Sequence, residues 1–172
     1  LDKIVYWTNM KSINLYAEHL LKFISYKKTG LGMETKGIQI ITNYWKERGV
    51  DISGFSMNDG CGLARANVIT TKTEVQILSK MVKDKNFDAF YKSLPIAGKS
   101  GSLGNIGDGT FAENNLRAKS GYISMARGYA GYVKNRKGDL LCFSVLVNNY
   151  ECSPTEMKRK LEKLLIAIAE TK

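Results

Sequence analysis

The sequence predicts an α/β (α+β) chain in which an antiparallel sheet is flanked by helices. Three observations predict it. Apolar residues recur at helical spacing through roughly residues 10–94. From residue 116 the period turns strand-like, in three runs joined by tight turns. After residue 153 a capped amphipathic helix closes the chain.

The 172 residues, 44% of them hydrophobic, suffice for one domain (1–172) with a real core. Only 24% of residues are charged and two are proline, a composition that suits a globular protein rather than a disordered one.

Residues 10–28 read as a first helix, with Ile13, Tyr16, Ala17, Leu20, Leu21 and Ile24 in phase and Thr29-Gly30 as the stop. Residues 35–48 read as a second, with Ile38, Ile41 and Trp45 on one face. Asn58-Asp59-Gly60-Cys61-Gly62 carries turn chemistry and reads as a tight loop. A third helix spans 71–84, with Val75, Leu78 and Val82 inward, and a short fourth runs from Phe87 to Leu94. Residues 97–114 contain many glycines and few large apolar residues, so a long loop is expected.

Residues 116–122, 126–134 and 140–148 are the three strand-like runs, and Asn135-Arg136-Lys137-Gly138 supplies a hairpin turn between the last two. Ser153-Pro154-Thr155-Glu156 is a capping box with proline at the first helical position. Met157, Leu161, Leu164, Leu165 and Ile168 then form a stripe suited to packing on a sheet.

The chain carries 26 Lys+Arg against 16 Asp+Glu, a net charge of +10. Such an excess attracts polyanions. The basic residues are dispersed, however, and no arginine-rich arm, zinc finger or aromatic RNA-binding strand is present, so nucleic acid is not the expected partner. Cys61, Cys142 and Cys152 form no C-x-x-C, which leaves metal and thioredoxin-like readings without support; a Cys142–Cys152 pairing stays open. No signal peptide or membrane-spanning run is present in the chain. His19, the single histidine, reads as an ordinary helix residue, and Glu18 and Asp59 as structural hydrogen-bonding groups.

Two small polar constellations suggest chemistry. Ser12-Ile13-Asn14, at the start of a helix, can present a hydroxyl and an amide. Lys119-Ser120-Gly121, on a strand, offers a cation, a hydroxyl and an unhindered backbone edge. An extended peptide ending in a carboxylate could add to that edge as a further strand. Lys119 and Ser120 would then hold the carboxylate through charge-assisted hydrogen bonds. Lys99-Ser100-Gly101 echoes the second triplet but lacks a following strand pattern.

Taken with their flanks, these triplets resemble the D-alanyl-D-alanine carboxypeptidase/endopeptidase family, the low-molecular-mass serine penicillin-binding proteins. Residues 12–21 resemble S-D-N-L-x-A-E-x-L-L and residues 58–65 resemble D-G-S-G-L-S-R. Residues 115–123 resemble R-A-K-T-G-T-L, and Ala130-Gly131-Tyr132-Val133 with the strand from Phe143 to Asn149 resembles A-G-Y-V and F-S-x-x-V-N-N. The segment containing Lys99 is similar to A-G-x-x-G-T-L, whose loop borders the family's active site.

The resemblance implies the serine penicillin-recognising (β-lactamase/transpeptidase-like) fold and no cofactor. It implies a peptidoglycan stem peptide ending in D-Ala-D-Ala as substrate, β-lactams as reagents for the same place, and a periplasmic setting. Ser12 would shuttle protons, Asn14 would bind the substrate amide, and Lys119, Ser120 and Gly121 would hold the terminal carboxylate. The departures are Ile13 for Asp, Ser120 for Thr and Cys61 for Ser.

A fourth departure matters most. The S-x-x-K nucleophile motif of the family precedes S-x-N, yet the residues before Ser12 contain no serine. The one S-x-x-K match, Ser25-Tyr26-Lys27-Lys28, follows Ser12 near a helix end and is read as chance. The chain is therefore expected to be the C-terminal part of a larger hydrolase, lacking its nucleophile-bearing segment. Apolar surface meant for that segment would favour self-association. The alternative is a non-catalytic basic module that binds a cell-wall peptide or anionic polymer. A fluorescent penicillin should form no gel-stable adduct with the 172-residue chain, because acylation needs a serine paired with a base; a labelled band mapped to any serine contradicts this.

Overall fold

A single residue in the left-handed region sets the start of the molecule. The computed structural model describes residues 1–172. Where one helix over residues 10–28 is expected, two are found: α1 (Asp2–Lys11) and α2 (Asn14–Thr29). They are divided at Ser12, whose φ of 53° and ψ of 50° end α1 with a bond from its backbone N–H to the Thr8 carbonyl. Apolar periodicity runs through the break because both helices keep an inward face, and this hides the corner from a pattern-based reading.

α2 ends at Gly30, and a short turn leads into α3 (Glu34–Glu47). Ser25, fully buried, organises that turn: its hydroxyl donates to the Leu31 carbonyl at 2.6 Å and accepts from the Met33 N–H at 3.2 Å. The Ser25-x-x-Lys28 match is thus a structural serine. α2 and α3 cross at Gly37, where a Cβ would come within 2.6 Å of the Leu21 carbonyl oxygen. Only a glycine allows this approach.

After α3 the chain forms two short strands that the sequence pattern did not reveal, β1 (Phe55–Ser56) and β2 (Val68–Ile69), paired antiparallel. Two residues per strand give no readable period. α4 (Thr71–Met81) follows, capped by the Thr70 hydroxyl, and then α5 (Phe87–Ser93). The expected loop over 97–114 is irregular but tightly packed. It contains one 3-10 turn (Gly101–Leu103), and Leu103, Ile106 and Ala112 lie in the main core with no exposed surface.

The expected three-stranded meander is present, with β3 (Arg117–Ile123), β4 (Ala126–Lys134) and β5 (Leu140–Asn148) antiparallel in the order β3-β4-β5. Asn135 builds the predicted β4–β5 turn, its side-chain oxygen accepting from the Lys137 and Asp139 N–H groups at 3.0 and 2.8 Å. Alternation sorts the residues of the sheet onto two faces. On one face Tyr129, Val133 and Phe143 pack against Leu161 and Leu165 of α6 (Pro154–Ala169). On the other face Tyr132 is fully buried against Leu78, Leu94, Phe87 and Phe90, and its hydroxyl donates to the Leu78 carbonyl at 2.9 Å.

α6 begins as predicted, with the Ser153 hydroxyl accepting from the Glu156 N–H at 3.2 Å; the Glu156 carboxylate turns instead to Lys160 at 3.0 Å. Leu164, expected in its buried stripe, is 44% exposed, while Ala169 is buried in its place. All three cysteines are free thiols. No helix is long and apolar enough to cross a membrane.

The crossing at Gly37 gives a direct test. Gly37→Ala should lower stability by about 2 kcal/mol in urea denaturation, since the backbone must shift to admit the methyl. Gly32→Ala, whose nearest contact would be an ordinary 3.7 Å, should change it far less.

Candidate active site

Ser12 and Lys119 stand 107 residues apart in sequence and meet in space. The left-handed corner lifts Ser12 off the end of α1 and turns its hydroxyl toward the sheet. There Lys119 Nζ donates to Ser12 Oγ at 3.0 Å and to the Ser120 carbonyl at 2.7 Å. Asn14 opens α2 beside them and lines the same cleft. All five residues singled out from the sequence, Ser12, Asn14, Lys119, Ser120 and Gly121, border one cavity of about 660 Å³.

Lys119 is half-buried, and burial alone pulls its ammonium below the ordinary lysine value of 10.5. No carboxylate forms an ion pair with it; the four salt bridges of the chain lie elsewhere. Lys119 is thus an uncompensated cation facing a cleft, a setting that favours an incoming anion. Lys99 sits exposed on the loop and is absent from the cavity wall.

The β3 edge explains why the triplet sits on a strand. β4 covers one side of β3 throughout. The other side is covered only at its start, where Ala118 donates its N–H to the Pro95 carbonyl at 3.1 Å and Ile96 bridges to Arg117. With period two, the peptide groups of Ser120 and Tyr122 face the same open side. A Cβ on Gly121 would meet nothing within 4 Å, so the glycine leaves free space above the strand rather than filling it.

The opposite wall is the loop from Asn58 to Asn67. Glu18 Oε1 on α2 accepts from the Gly60 and Cys61 N–H groups at 2.9 and 2.8 Å. Asp59 accepts from the N–H groups of Gly62 at 2.7 Å and Ala64 at 2.5 Å, and from the Asn67 amide at 2.8 Å. Both acids hold the loop, as their sequence context suggests. With Cys61 they form a cluster whose ligand atoms lie within 4.8 Å of one another. Glu18 Oε1 and both Asp59 oxygens are already engaged, and burial together with Glu18 pushes the Cys61 thiol up, away from the thiolate a metal would need. His19 Nδ1 faces the Leu15 carbonyl at 2.7 Å on the outside of α2.

Three lining or neighbouring groups were not singled out in the sequence. Glu74 projects from α4 into the cavity and contacts the Ser144 hydroxyl at 2.5 Å. Ser144 stands in register with Ala130 and Lys119 across the sheet, so the pair lies on the cleft face. Burial pushes the Glu74 carboxyl up. Ser102, on the 3-10 turn, accepts a hydrogen bond from the Ser120 hydroxyl at 2.6 Å. Glu74 carries no motif that would flag it; Ser144 lies in the strand similar to F-S-x-x-V-N-N and Ser102 in the segment similar to A-G-x-x-G-T-L.

Residues 1–170 match the model of the D-Ala-D-Ala carboxypeptidase 3 (S13) family. The chain belongs to this family. A D-alanyl-D-alanine carboxypeptidase of an Actinomadura strain is 35% identical over 151 residues, covering 85% of this chain and 28% of that protein. Penicillin binding protein 4 of Haemophilus influenzae, solved in complex with a β-lactam, superposes with a TM-score of 0.84 at 21% identity, over 96% of this chain and 40% of its own. An extended-spectrum β-lactamase, TLA-3, superposes with a TM-score of 0.74 at 17% identity, over 98% of this chain and 62% of its own. The fold is thus the penicillin-recognising one expected from the sequence. The chain spans about a third or less of the length of such curated relatives.

Glu74 supplies a test of cleft electrostatics. Its folded-state pKa is raised, so the fold binds a proton more readily than the unfolded chain, and stability falls as pH rises from the ordinary glutamate value through the folded one. Glu74→Gln keeps a partner for Ser144 and removes the buried charge. The variant should melt higher than wild type at pH 7, with the difference vanishing near pH 4; an equal difference at both pH values rules out titration of Glu74 as the cause.

Proposed function

We propose that this chain is the substrate-recognising, C-terminal portion of a peptidoglycan D-Ala-D-Ala carboxypeptidase/endopeptidase that works in the periplasm. The observation that carries the reading is the Lys119–Ser12 contact at 3.0 Å, which joins two motifs distant in sequence at the end of an open strand edge.

A stem peptide ending in D-Ala-D-Ala lies along β3 as an added strand, taking hydrogen bonds from the outward peptide groups near Tyr122. Its terminal carboxylate rests against the Lys119 ammonium and the Ser120 hydroxyl, where a charge-assisted bond in a partly dry setting is strong. Asn14 donates its side-chain amide to a carbonyl of the penultimate residue. The open space above Gly121 admits the peptide backbone without a clash.

The reaction is acyl transfer. A seryl hydroxyl attacks the D-Ala–D-Ala carbonyl, its proton passes to a neighbouring base, and the C-terminal D-alanine leaves as an amine that must receive a proton. Ser12, hydrogen-bonded to Lys119, lies where a hydroxyl relay can deliver that proton. Water then cleaves the ester. The attacking serine and its lysine come from a segment outside these 172 residues. β-Lactams enter as carboxylate-bearing mimics of the same peptide end. The second reading, a binding module without chemistry, rests on the +10 net charge and uses the same carboxylate seat.

Binding tests the seat without requiring turnover. In an NMR titration, diacetyl-L-Lys-D-Ala-D-Ala should bind the chain more tightly than its C-terminal amide. Lys119→Met should erase the preference, with a loss of about tenfold or more, the worth of a charge-assisted hydrogen bond. Because burial lowers the Lys119 pKa, affinity for the acid should fall with rising pH before an ordinary lysine would titrate. Equal binding of acid and amide by wild type rejects the carboxylate seat.

A further inference from the structure

We infer that Ser102 is a positioning residue for the carboxylate seat, acting through Ser120; this rests on the proposed peptide-binding role of β3. The Ser120 hydroxyl donates to Ser102 Oγ at 2.6 Å, a contact between residues 18 apart in sequence and on different elements. A hydroxyl with free rotation samples several directions, and a single partner selects one of them.

Ser102 is well built for this task. It sits in the 3-10 turn Gly101–Leu103, whose last residue is fully buried in the core. The Leu103 carbonyl accepts from the Gly98 N–H at 3.0 Å, and the Ser100 N–H donates to the Ile96 carbonyl at 3.0 Å. The same segment runs beside β3, with the Ala97 N–H donating to the Leu116 carbonyl at 2.9 Å. The turn and the strand therefore move together. Of the two serines in the loop, Ser100 is committed elsewhere, its hydroxyl accepting from the Ile96 N–H at 3.1 Å. Ser102 alone aims at the seat.

The pair works as a two-step hydroxyl relay with a reversible direction. With the cleft empty, Ser120 donates to Ser102. When a carboxylate arrives, the Ser120 hydrogen turns to the carboxylate oxygen, and the Ser102 hydroxyl rotates to donate to Ser120 Oγ. No bond breaks and no proton changes owner. Ser120 keeps a partner in both states, and donation from Ser102 polarises its O–H toward the anion. The relay gives an isolated serine hydroxyl the fixed direction that a bulkier side chain would obtain from packing.

The test uses the whole chain and the same two ligands. Ser102→Ala should weaken binding of diacetyl-L-Lys-D-Ala-D-Ala by about two- to tenfold, the range of one neutral hydrogen bond, and leave binding of the C-terminal amide unchanged. Ser102→Thr, which keeps the hydroxyl, should restore acid binding. Melting temperatures should stay close to wild type, because Ser102 is exposed and its hydroxyl has no other partner. Acid affinity unchanged in Ser102→Ala overturns the inference, as does an equal loss for acid and amide, or a failure of Ser102→Thr to restore binding. If wild type itself does not distinguish acid from amide, the parent reading fails and the relay fails with it.

Discussion

Lys119 is the residue on which the arrangement turns. It is a half-buried ammonium held by a serine hydroxyl and a carbonyl, with no carboxylate to neutralise it. A cation in that position costs folding energy that neutral partners only partly offset. The surrounding structure keeps it in place: β4 fixes the strand beneath it, and the corner between α1 and α2 brings Ser12 to its head. The cost is tolerable when the group has a task, and in the proposed function that task is to receive an anion.

Around that residue the fold separates support from function. The α6 face of the sheet is a continuous apolar core built on Tyr129, Val133 and Phe143, with the loop residues Leu103, Ile106 and Ala112 sealed into it. The opposite face is apolar only near Tyr132 and opens toward small residues, Gly128, Ala130 and Ala126, where the cavity lies. The acidic side chains near the cleft are spent on scaffolding. Glu18 and Asp59 tie down the facing loop, and Glu74 is turned to Ser144. What remains free along the β3 edge is one ammonium, two linked hydroxyls and backbone.

The loop over residues 97–114 shows how composition misleads. Its glycines suggest openness, yet several of its few apolar residues carry no exposed surface. Membership of a core depends on where a side chain points, and a segment without regular period gives no sign of that. The same blindness hid the two-residue strands β1 and β2 and put Leu164 inside. It also concealed the partner of Ser102: the likeness of its segment to A-G-x-x-G-T-L marks the loop, but not the hydroxyl it will face.

Much of the fold and of the candidate site was nonetheless legible. The order of helices, the three-strand meander, the capped last helix and the residues Ser12, Asn14, Lys119, Ser120 and Gly121 follow from periodicity, turn chemistry and motif flanks, all of which are local in the chain. Tertiary structure decided the rest. It set the left-handed corner at Ser12, which the run of apolar positions conceals. It made the contact of that hydroxyl with Lys119 across 107 residues, the pairing of Ser102 with Ser120, and the sharing of Glu74 with Ser144. Each of these depends on two elements meeting at a fixed distance, and distance between elements is set by packing, which no single stretch of sequence contains.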